Sequence, residues 1–280
     1  MTAFDLSVVI VSYNTRELLR ACLESLLRQP CPCEIIVVDN ASADGSPAMI
    51  REAFPQVRLL AQPRNTWYCG GNNIGIAAAS AGYVLLLNPD TVVEGEALAT
   101  MRQFLAEHPH YAGVTCQLRY PSGTIQRTGS RVPTLAYLLA NHTPLLLLAG
   151  WRRRLSERHW YTDWARTTDR DVGVAPGSCL MLRRDDALLD AGLWLYFPED
   201  DLARRLGLPF RYLASVHIAH HEKSSTRSWL ATRIYFRDLL VYVGRHHGLL
   251  AWLLMWALTR PLLLAMWLKA RRSASRKVTP

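Results

Sequence analysis

Three short polar clusters each follow an apolar run: Ser12-Tyr13-Asn14, Asp39-Asn40-Ala41-Ser42 and Asn88-Pro89-Asp90. A carboxylate at Asp39 can accept hydrogen bonds from a pyrimidine ring or a ribose hydroxyl; it can equally close an Asx turn on its own backbone. A carboxylate at Asp90 suits a hard divalent cation on a diphosphate, which needs oxygen ligands and room for phosphate and water. The same residues also spell an Asn-Pro turn. Further along, Glu199-Asp200-Asp201 sets three carboxylates in a row. Like charges that close raise one another's pKa, as a general base requires, and acids at a helix start also favour the helix dipole. His220-His221 follows another apolar run and offers imidazole as a metal ligand or as a structural pair. The segment from Asn65 to Gly75 holds Gly70, Gly71, Asn72 and Gly75. A glycine-rich stretch opening a helix lets backbone approach phosphate, although this one is neither G-x-G-x-x-G nor a P-loop.

Positioning these groups calls for strands that end beside one another. Leu6–Val11, Glu34–Val38, Val57–Leu60 and Tyr83–Leu87 are short apolar runs expected as buried strands. Helical spacing is expected over Thr15–Arg28, Ser46–Phe54, Asn72–Ala81 and Glu96–Glu107, with Pro47 in a first helical turn. Strands alternating with helices imply an α/β fold with a mainly parallel sheet flanked by helices. Its chemistry belongs beyond the carboxyl ends of the strands, where the three polar clusters gather. After Ala112 the alternation loosens. Val114–Tyr120 and Gly123–Arg127 are expected as a hairpin, residues 132–172 as a variable insertion, and Gly177–Arg183 as a strand followed by a helix from Asp185. Glu199–Leu206 then opens a helix, and Phe210–Val216 is a strand leading to the histidines.

With 280 residues, half of them hydrophobic and 20% charged, the chain can bury a sizeable core. Its net charge of +9 points to an anionic partner without choosing among nucleic acid, acidic lipid and diphosphate. The six cysteines lack zinc-ligand spacing and read as free thiols of a reducing compartment. The N-terminus has no basic region ahead of its first apolar run and does not read as a signal peptide.

Taken in order, these motifs resemble family-two glycosyltransferases of the GT-A fold, in particular the rhamnosyltransferase-like branch that builds bacterial cell-surface polysaccharides. The resemblance spans Leu6 to about Gly248. It is carried by Val8 to Asn14, Val37 to Ser42, Asn65 with Gly70 to Gly75, Leu87 to Thr91, Gly177 to Arg183, Glu199 to Leu202 with Arg205-Leu206, His220-His221 before Ser224-Ser225, Tyr235 to Arg237, and His246 to Gly248. It implies a nucleotide site lined by Ser12, Tyr13, Asp39, Asn40 and Asn65, with Gly71, Asn72 and Asn88 nearby. Asp90 and His220 would hold Mg²⁺ or Mn²⁺ on the diphosphate. Gly177, Ser178 and Asp201 would help shape the substrate site. Asp200 would be the base that deprotonates an acceptor hydroxyl, ahead of Glu199. The family shows a spacer between Glu-Asp and Asp-Leu that is missing here. If Asp201-Leu202 and Arg205-Leu206 fix the register, Glu199 falls at the base's position instead.

The implied reaction is metal-dependent, inverting transfer of a sugar from a dTDP-, UDP- or GDP-linked donor, dTDP-L-rhamnose first. The expected acceptor is a lipid-diphosphate-linked glycan of cell-envelope synthesis. A catalytically inactive scaffold is one alternative. A nucleotidyltransferase is another, though the glycine-rich loop it would carry after the first strand is absent from Val11 to Arg16. The basic residues follow no nucleic-acid-binding motif. The expected domains are a catalytic unit over 1–228, with a nucleotide-sugar half to about 111 and an acceptor half from 112, and a C-terminal helical appendage over 229–280. Leu249–Leu268 is apolar enough to span a bilayer, but Arg260-Pro261 interrupts it, and the basic tail Lys269–Lys277 opposes export. Two short helices bent at Arg260-Pro261 and lying on the cytoplasmic face of the membrane, peripheral or monotopic, are therefore expected. Burial of this segment against the catalytic domain or in a homodimer stays open.

Overall fold

Valine, isoleucine and leucine in unbroken runs form strands that are covered on both faces. The computed structural model describes residues 4–222 and 228–275. In it β1 (Leu6–Ser12) pairs in parallel with β2 (Glu34–Asp39) and β4 (Tyr83–Leu87), and β3 (Arg58–Ala61) lies outside β2. Val8, Val9, Ile10, Ile36, Val37 and Leu85 are fully inaccessible, as strands sandwiched between helices should be. Helices α1 (Arg16–Leu27), α2 (Ser46–Ala53) and α3 (Trp67–Ala78) make the crossovers. Leu19, Leu23, Met49 and Ile50 of α1 and α2 pack on one face with Val8 and Ile10, while Cys69 and Ile76 of α3 pack on the other with Val9 and Ile36.

The sheet continues with mixed pairing through β5 (Thr91–Val93), helix α4 (Ala97–Glu107), β6 (Gly113–Arg119), β7 (Arg170–Val172), β8 (Cys179–Arg183) and β9 (Phe210–His220). Its order is β3-β2-β1-β4-β8-β6-β9-β5, with β7 also paired to β9. β8 runs antiparallel to both β4 and β6, so the segment after residue 112 completes the sheet begun before it.

Three sequence expectations change in this part of the chain. Gly123–Arg127 forms no strand: the expected hairpin is reduced to one antiparallel bridge, Arg119 to Ile125, with the Gln126 N–H donating to the Leu118 carbonyl (2.8 Å) and the Tyr120 N–H to that of Thr124 (2.9 Å). The helix expected from Asp185 is only a tight turn over Arg184–Asp186, and the Asp190 carboxylate then accepts from the Gly192 N–H (2.8 Å) in an Asx turn that stops helical propagation. α3 starts at Trp67 rather than Asn72, so the glycines lie inside the helix. The insertion holds α5 (Leu135–His142), capped by the Thr134 hydroxyl, a 3₁₀ turn over Pro144–Leu147, and α6 (Ala149–His159).

After α7 (Pro198–Leu206) and β9, the chain closes with α8 (Trp229–Ser275). The break in α8 is at Gly248 (φ 81, ψ 177), not at Arg260-Pro261. That combination is open essentially to glycine alone. The helix passes through the proline, beside which the Thr259 hydroxyl donates to the Met255 and Trp256 carbonyls (2.8 and 3.1 Å) and the Arg260 side chain donates to that of Trp256. Leu239, Tyr242 and Val243 before the break and Ala251 and Met255 after it pack around Leu138 of α5 as a separate apolar cluster. Trp229–Leu268 is long and apolar enough to cross a membrane. Ser224-Ser225 and the end of the basic tail lie outside the described residues.

Candidate active site

The carboxyl ends of β1, β2 and β4 open into a cleft of about 1450 Å³. Tyr13, Asn40, Asn65, Asn88, Asp90, Gly177, Ser178 and Glu199 line it. Two loops knit its floor. The Asn14 N–H donates to the Ser42 hydroxyl (2.9 Å), and the Asn14 side-chain oxygen accepts from the Ala43 N–H (2.8 Å). Asn40 bridges to α3: its oxygen accepts from the Thr66 N–H and hydroxyl (3.1 and 2.7 Å), and its amide donates to the Trp67 carbonyl (3.1 Å). Asn65 caps the same corner by accepting from the Trp67 N–H (2.8 Å).

Tyr13 stands half exposed (51%) at the mouth, presenting a ring on which a base can stack. Asp39 is buried, and Oδ2 accepts from the Ser42 N–H (2.9 Å) as an Asx turn predicts. Oδ1 is also buried and has no hydrogen-bond partner among the described residues. An orphaned buried acceptor costs about 1–3 kcal/mol; Asp39 itself does not line the cleft, and it holds the loop that Asn40 presents there. Ser12 is fully buried and bonds Thr15 (2.9 Å), so it shapes the turn from beneath.

Gly71 and Asn72 are buried on α3 and do not line the cleft. A Cβ at Gly71 would come within 2.7 Å of Val11, and one at Gly75 would collide with Val9. These glycines seat the helix on the sheet. The payoff is at the helix start, where Trp67 takes φ 63 and Tyr68 crosses the cleft to donate to the Gly177 carbonyl (3.0 Å).

Asp90 and His220 meet at the far edge, Oδ1 to Nε2 at 3.4 Å. Gln126, absent from the sequence reading, decides the ring's protonation pattern. Its amide nitrogen donates to the His220 carbonyl (2.7 Å), so its oxygen must accept from His220 Nδ1–H (2.8 Å). In the neutral imidazole the Nε2 lone pair then faces the Asp90 carboxylate. Two acceptors pointed at each other suit a cation between them, and carboxylate plus imidazole is a donor set for Mg²⁺ or Mn²⁺ with diphosphate and water completing the shell. Among the described residues no third carboxylate, histidine or cysteine joins them.

The three carboxylates of α7 part company. Glu199 faces the cleft, where a Cβ on Gly177 would overlap its carboxylate and the Tyr68 hydroxyl. Burial pushes its pKa up to about 7. Asp200 does not line the cleft. Burial, then the charge of Glu199, raises it to about 7 as well, and its own charge is felt by Tyr137, Tyr235 and Tyr242 of α5 and α8. Asp201 is fully buried, with its oxygens taken by Arg205 (2.7 Å) and His246 (2.8 Å). Just before α7, the loop 194–196 is held by Asp238, whose Oδ2 accepts from the N–H groups of Trp194, Leu195 and Tyr196 (3.1, 2.8 and 3.0 Å). In the sequence Asp238 stands out only as a charge in an apolar segment.

A parallel nucleotide-type half, a carboxylate–imidazole pair and a raised carboxyl in one cleft match what comparison with known proteins finds. Residues 7–188 match the model for glycosyl transferase family 2. The N-acetylglucosaminyl-diphospho-decaprenol L-rhamnosyltransferase of Mycobacterium tuberculosis is 27% identical over 97% of this chain and 94% of its own. The rhamnosyltransferase WbbL of Escherichia coli is 22% identical over 85% and 92%. Among solved structures, the mannosyltransferase PcManGT of Pyrobaculum calidifontis, in complex with GDP-Man and Mn²⁺, superposes with a TM-score of 0.58 at 16% identity, over 86% of this chain and 64% of that one. GalNAc-T7 with UDP, GalNAc and Mn²⁺ superposes at 0.57 and 14% identity, over 85% and 47%. The chain belongs to glycosyl transferase family 2 and is a glycosyltransferase of the GT-A fold that works on a nucleotide-sugar donor.

Proposed function

We propose that this protein transfers a sugar, L-rhamnose from dTDP-L-rhamnose in the first instance, with inversion, onto a lipid-diphosphate-linked glycan at the cytoplasmic face of the membrane. The observation that carries the reading is the convergence of Tyr13, Asp90, Gly177 and Glu199 on one cleft. The choice of sugar draws on the mycobacterial relative, which its name describes as a rhamnosyltransferase acting on N-acetylglucosaminyl-diphospho-decaprenol. The choice of acceptor also draws on the wall of the cleft, where Leu230, Ala231 and Ile234 of α8 give an apolar side.

In this reading Tyr13 stacks on the base, and Asp39 braces the loop beneath the nucleoside through the Ser42 N–H. Asp90 and His220 hold a divalent cation, which supplies Lewis-acid stabilisation of the charge on the departing diphosphate. Glu199 is the base in preference to Asp200, because Glu199 lines the cleft and Asp200 does not. The acceptor O–H gives its proton to the Glu199 carboxylate, and its oxygen bonds the anomeric carbon. The bond from that carbon to the diphosphate oxygen breaks on the opposite face, through an oxocarbenium-like transition state. Gly177 leaves space for the Glu199 carboxylate, and Tyr68 holds the Gly177 carbonyl in place.

Release of dTDP from dTDP-L-rhamnose in the presence of a polyprenyl-diphosphate-linked amino sugar tests the reading. Glu199→Gln is expected to lose about 10²–10⁴ in rate, as removal of a placed base does, while still binding dTDP. Asp200→Asn is expected to keep most of the activity. The reverse pattern transfers the base to Asp200. Thermal shifts with dTDP, UDP and GDP in Mn²⁺ rank the nucleotides, since a ligand at about 100 times its Kd adds about 2.7 kcal/mol.

A further inference from the structure

The cluster Trp151-Arg152-Arg153-Arg154 is not used by the cleft. It begins α6, directly after the 3₁₀ turn that joins α5 to α6. The tip of this helical hairpin is bare: Leu147 is 80% exposed, Leu148 55% and Trp151 39%. All three arginines that follow are exposed. Arg153 pairs with Glu157, and among the described residues Arg152 and Arg154 have no carboxylate partner.

Fold stability does not ask for this arrangement. A helix N-terminus carries positive partial charge, and cations near it are unfavourable. α6 nonetheless has no acid in its first turn and three arginines just beyond it. Leucines on a loop tip likewise gain nothing by standing in water. Both costs become gains against one surface. Along the chain the order is leucine, then tryptophan, then arginine, which matches the bilayer's order of acyl chain, interface and anionic headgroup.

The 3₁₀ turn packs against α8. Past Gly248, α8 buries Ala251, Met255 and Thr259 toward the protein and leaves Leu249, Leu250, Leu253, Leu254 and Trp256 exposed. The hairpin tip therefore lies beside α8.

We propose that the α5–α6 hairpin tip is a second membrane-docking element. Leu147, Leu148 and Trp151 enter the interface of an anionic bilayer, and Arg152, Arg153 and Arg154 bind its phosphate headgroups, beside the surface-lying second half of α8. The proposal rests on the membrane-surface reading above and adds to it the site, the lipid charge and the residues. Two separated contacts fix the orientation of the cleft over the surface, which one helix free to roll about its axis does not.

Vesicle flotation of the full chain separates this proposal from its parent reading. Wild type is expected to bind phosphatidylcholine vesicles containing phosphatidylglycerol more tightly than phosphatidylcholine alone, and to lose that preference in high salt. The triple variant R152A/R153A/R154A is expected to bind the anionic vesicles roughly 100-fold more weakly, since each basic residue at such a surface is worth about fivefold. Its melting temperature should be unchanged or slightly higher, because the replacement relieves the clash with the helix dipole. The double variant L147S/L148S should weaken binding to both vesicle types. If wild type binds anionic vesicles and the triple variant binds them equally well, the hairpin proposal falls and α8 alone is the anchor. If wild type binds neither vesicle, both readings fall. If the variants abolish concentration-dependent self-association in light scattering and leave vesicle binding intact, a second copy of the chain covers this face and the proposal is overturned.

Discussion

Glu199 and Asp200 both hold protons at a pH where an ordinary carboxyl has lost them, each with a pKa of about 7 caused first by burial. Unfolded carboxyls ionise near 4. Between about pH 4 and 7 the folded protein therefore binds protons that the unfolded chain has released. The stability these groups contribute is full below about pH 4 and is lost as pH rises through about 7. Two measurable outcomes follow. Transfer efficiency, kcat/KM, should rise through about pH 7 to a plateau as Glu199 ionises. Glu199→Gln should melt higher than wild type at pH 8, while transferring far more slowly. At Gly177 the expected change is steric: Gly177→Ala drives a methyl into the Glu199 carboxylate and the Tyr68 hydroxyl, and should cost activity at least as severely as Glu199→Gln. Gln126→Leu removes the acceptor that keeps a proton on His220 Nδ1. Losing such an outer partner typically weakens metal affinity by about 10- to 100-fold. Titration of Mn²⁺ by electron paramagnetic resonance with dTDP present reads this directly, and retention of wild-type affinity removes Gln126 from the metal site.

At the scale of elements, the cleft depends on how segments are pinned at their ends. Asn14, Ala41, Trp67, Phe197 and Glu222 all have positive φ without being glycine. They follow β1 and β2, begin α3, precede α7 and follow β9, respectively. Such conformations cost about 1–3 kcal/mol each and persist where surrounding contacts over-determine them. Asp238 shows how: one carboxylate of α8 holds three consecutive N–H groups of the loop that leads into α7, and Arg237 stacks 3.7 Å above the Trp194 ring. Asp238→Ala leaves those donors without their acceptor and should destabilise by about 3–5 kcal/mol. In hydrogen exchange, the amides of residues 194–196 should lose protection first. These pins explain which parts of the site the sequence could reveal. Tyr13, Asn88 and Asp90 were legible because parallel strands end together and short apolar runs announce the strands. Tyr68 and Gln126 were hidden, because each acts through a contact with a residue far away in the chain, Gly177 and His220. The competition between Glu199 and Asp200 could not be resolved from spacing either. Adjacent helical residues point about 100° apart, and only the packing of α7 decides which one enters the cleft.

For the whole molecule, the break at Gly248 sets how the catalytic body meets its surroundings. The first half of α8 builds the cleft wall and the Asp238 anchor; the second half carries exposed leucines and tryptophan. A left-handed glycine between them fixes the angle. Gly248→Ala should cost about 1–3 kcal/mol in a denaturant midpoint and reduce vesicle binding more than it reduces nucleotide binding. From composition, arginine at 260 and proline at 261 read as the natural bend, but the helix runs on through them. A glycine following two histidines gave no comparable signal.

The position of β8 has a consequence for how this protein is made. β4 receives its outer neighbour only from Cys179–Arg183, on the far side of β5, β6 and the α5–α6 hairpin. As the chain leaves the ribosome, the parallel quartet β3-β2-β1-β4 is finished while its growing edge still shows unpaired N–H and C=O groups. Roughly ninety more residues must follow before that edge is sealed, which at 5–20 residues per second is about 5–20 s of translation. During that interval a leucine-rich strand stands open to pairing with another nascent chain. Slowing elongation between the codons for Leu87 and Cys179 should therefore raise the insoluble fraction.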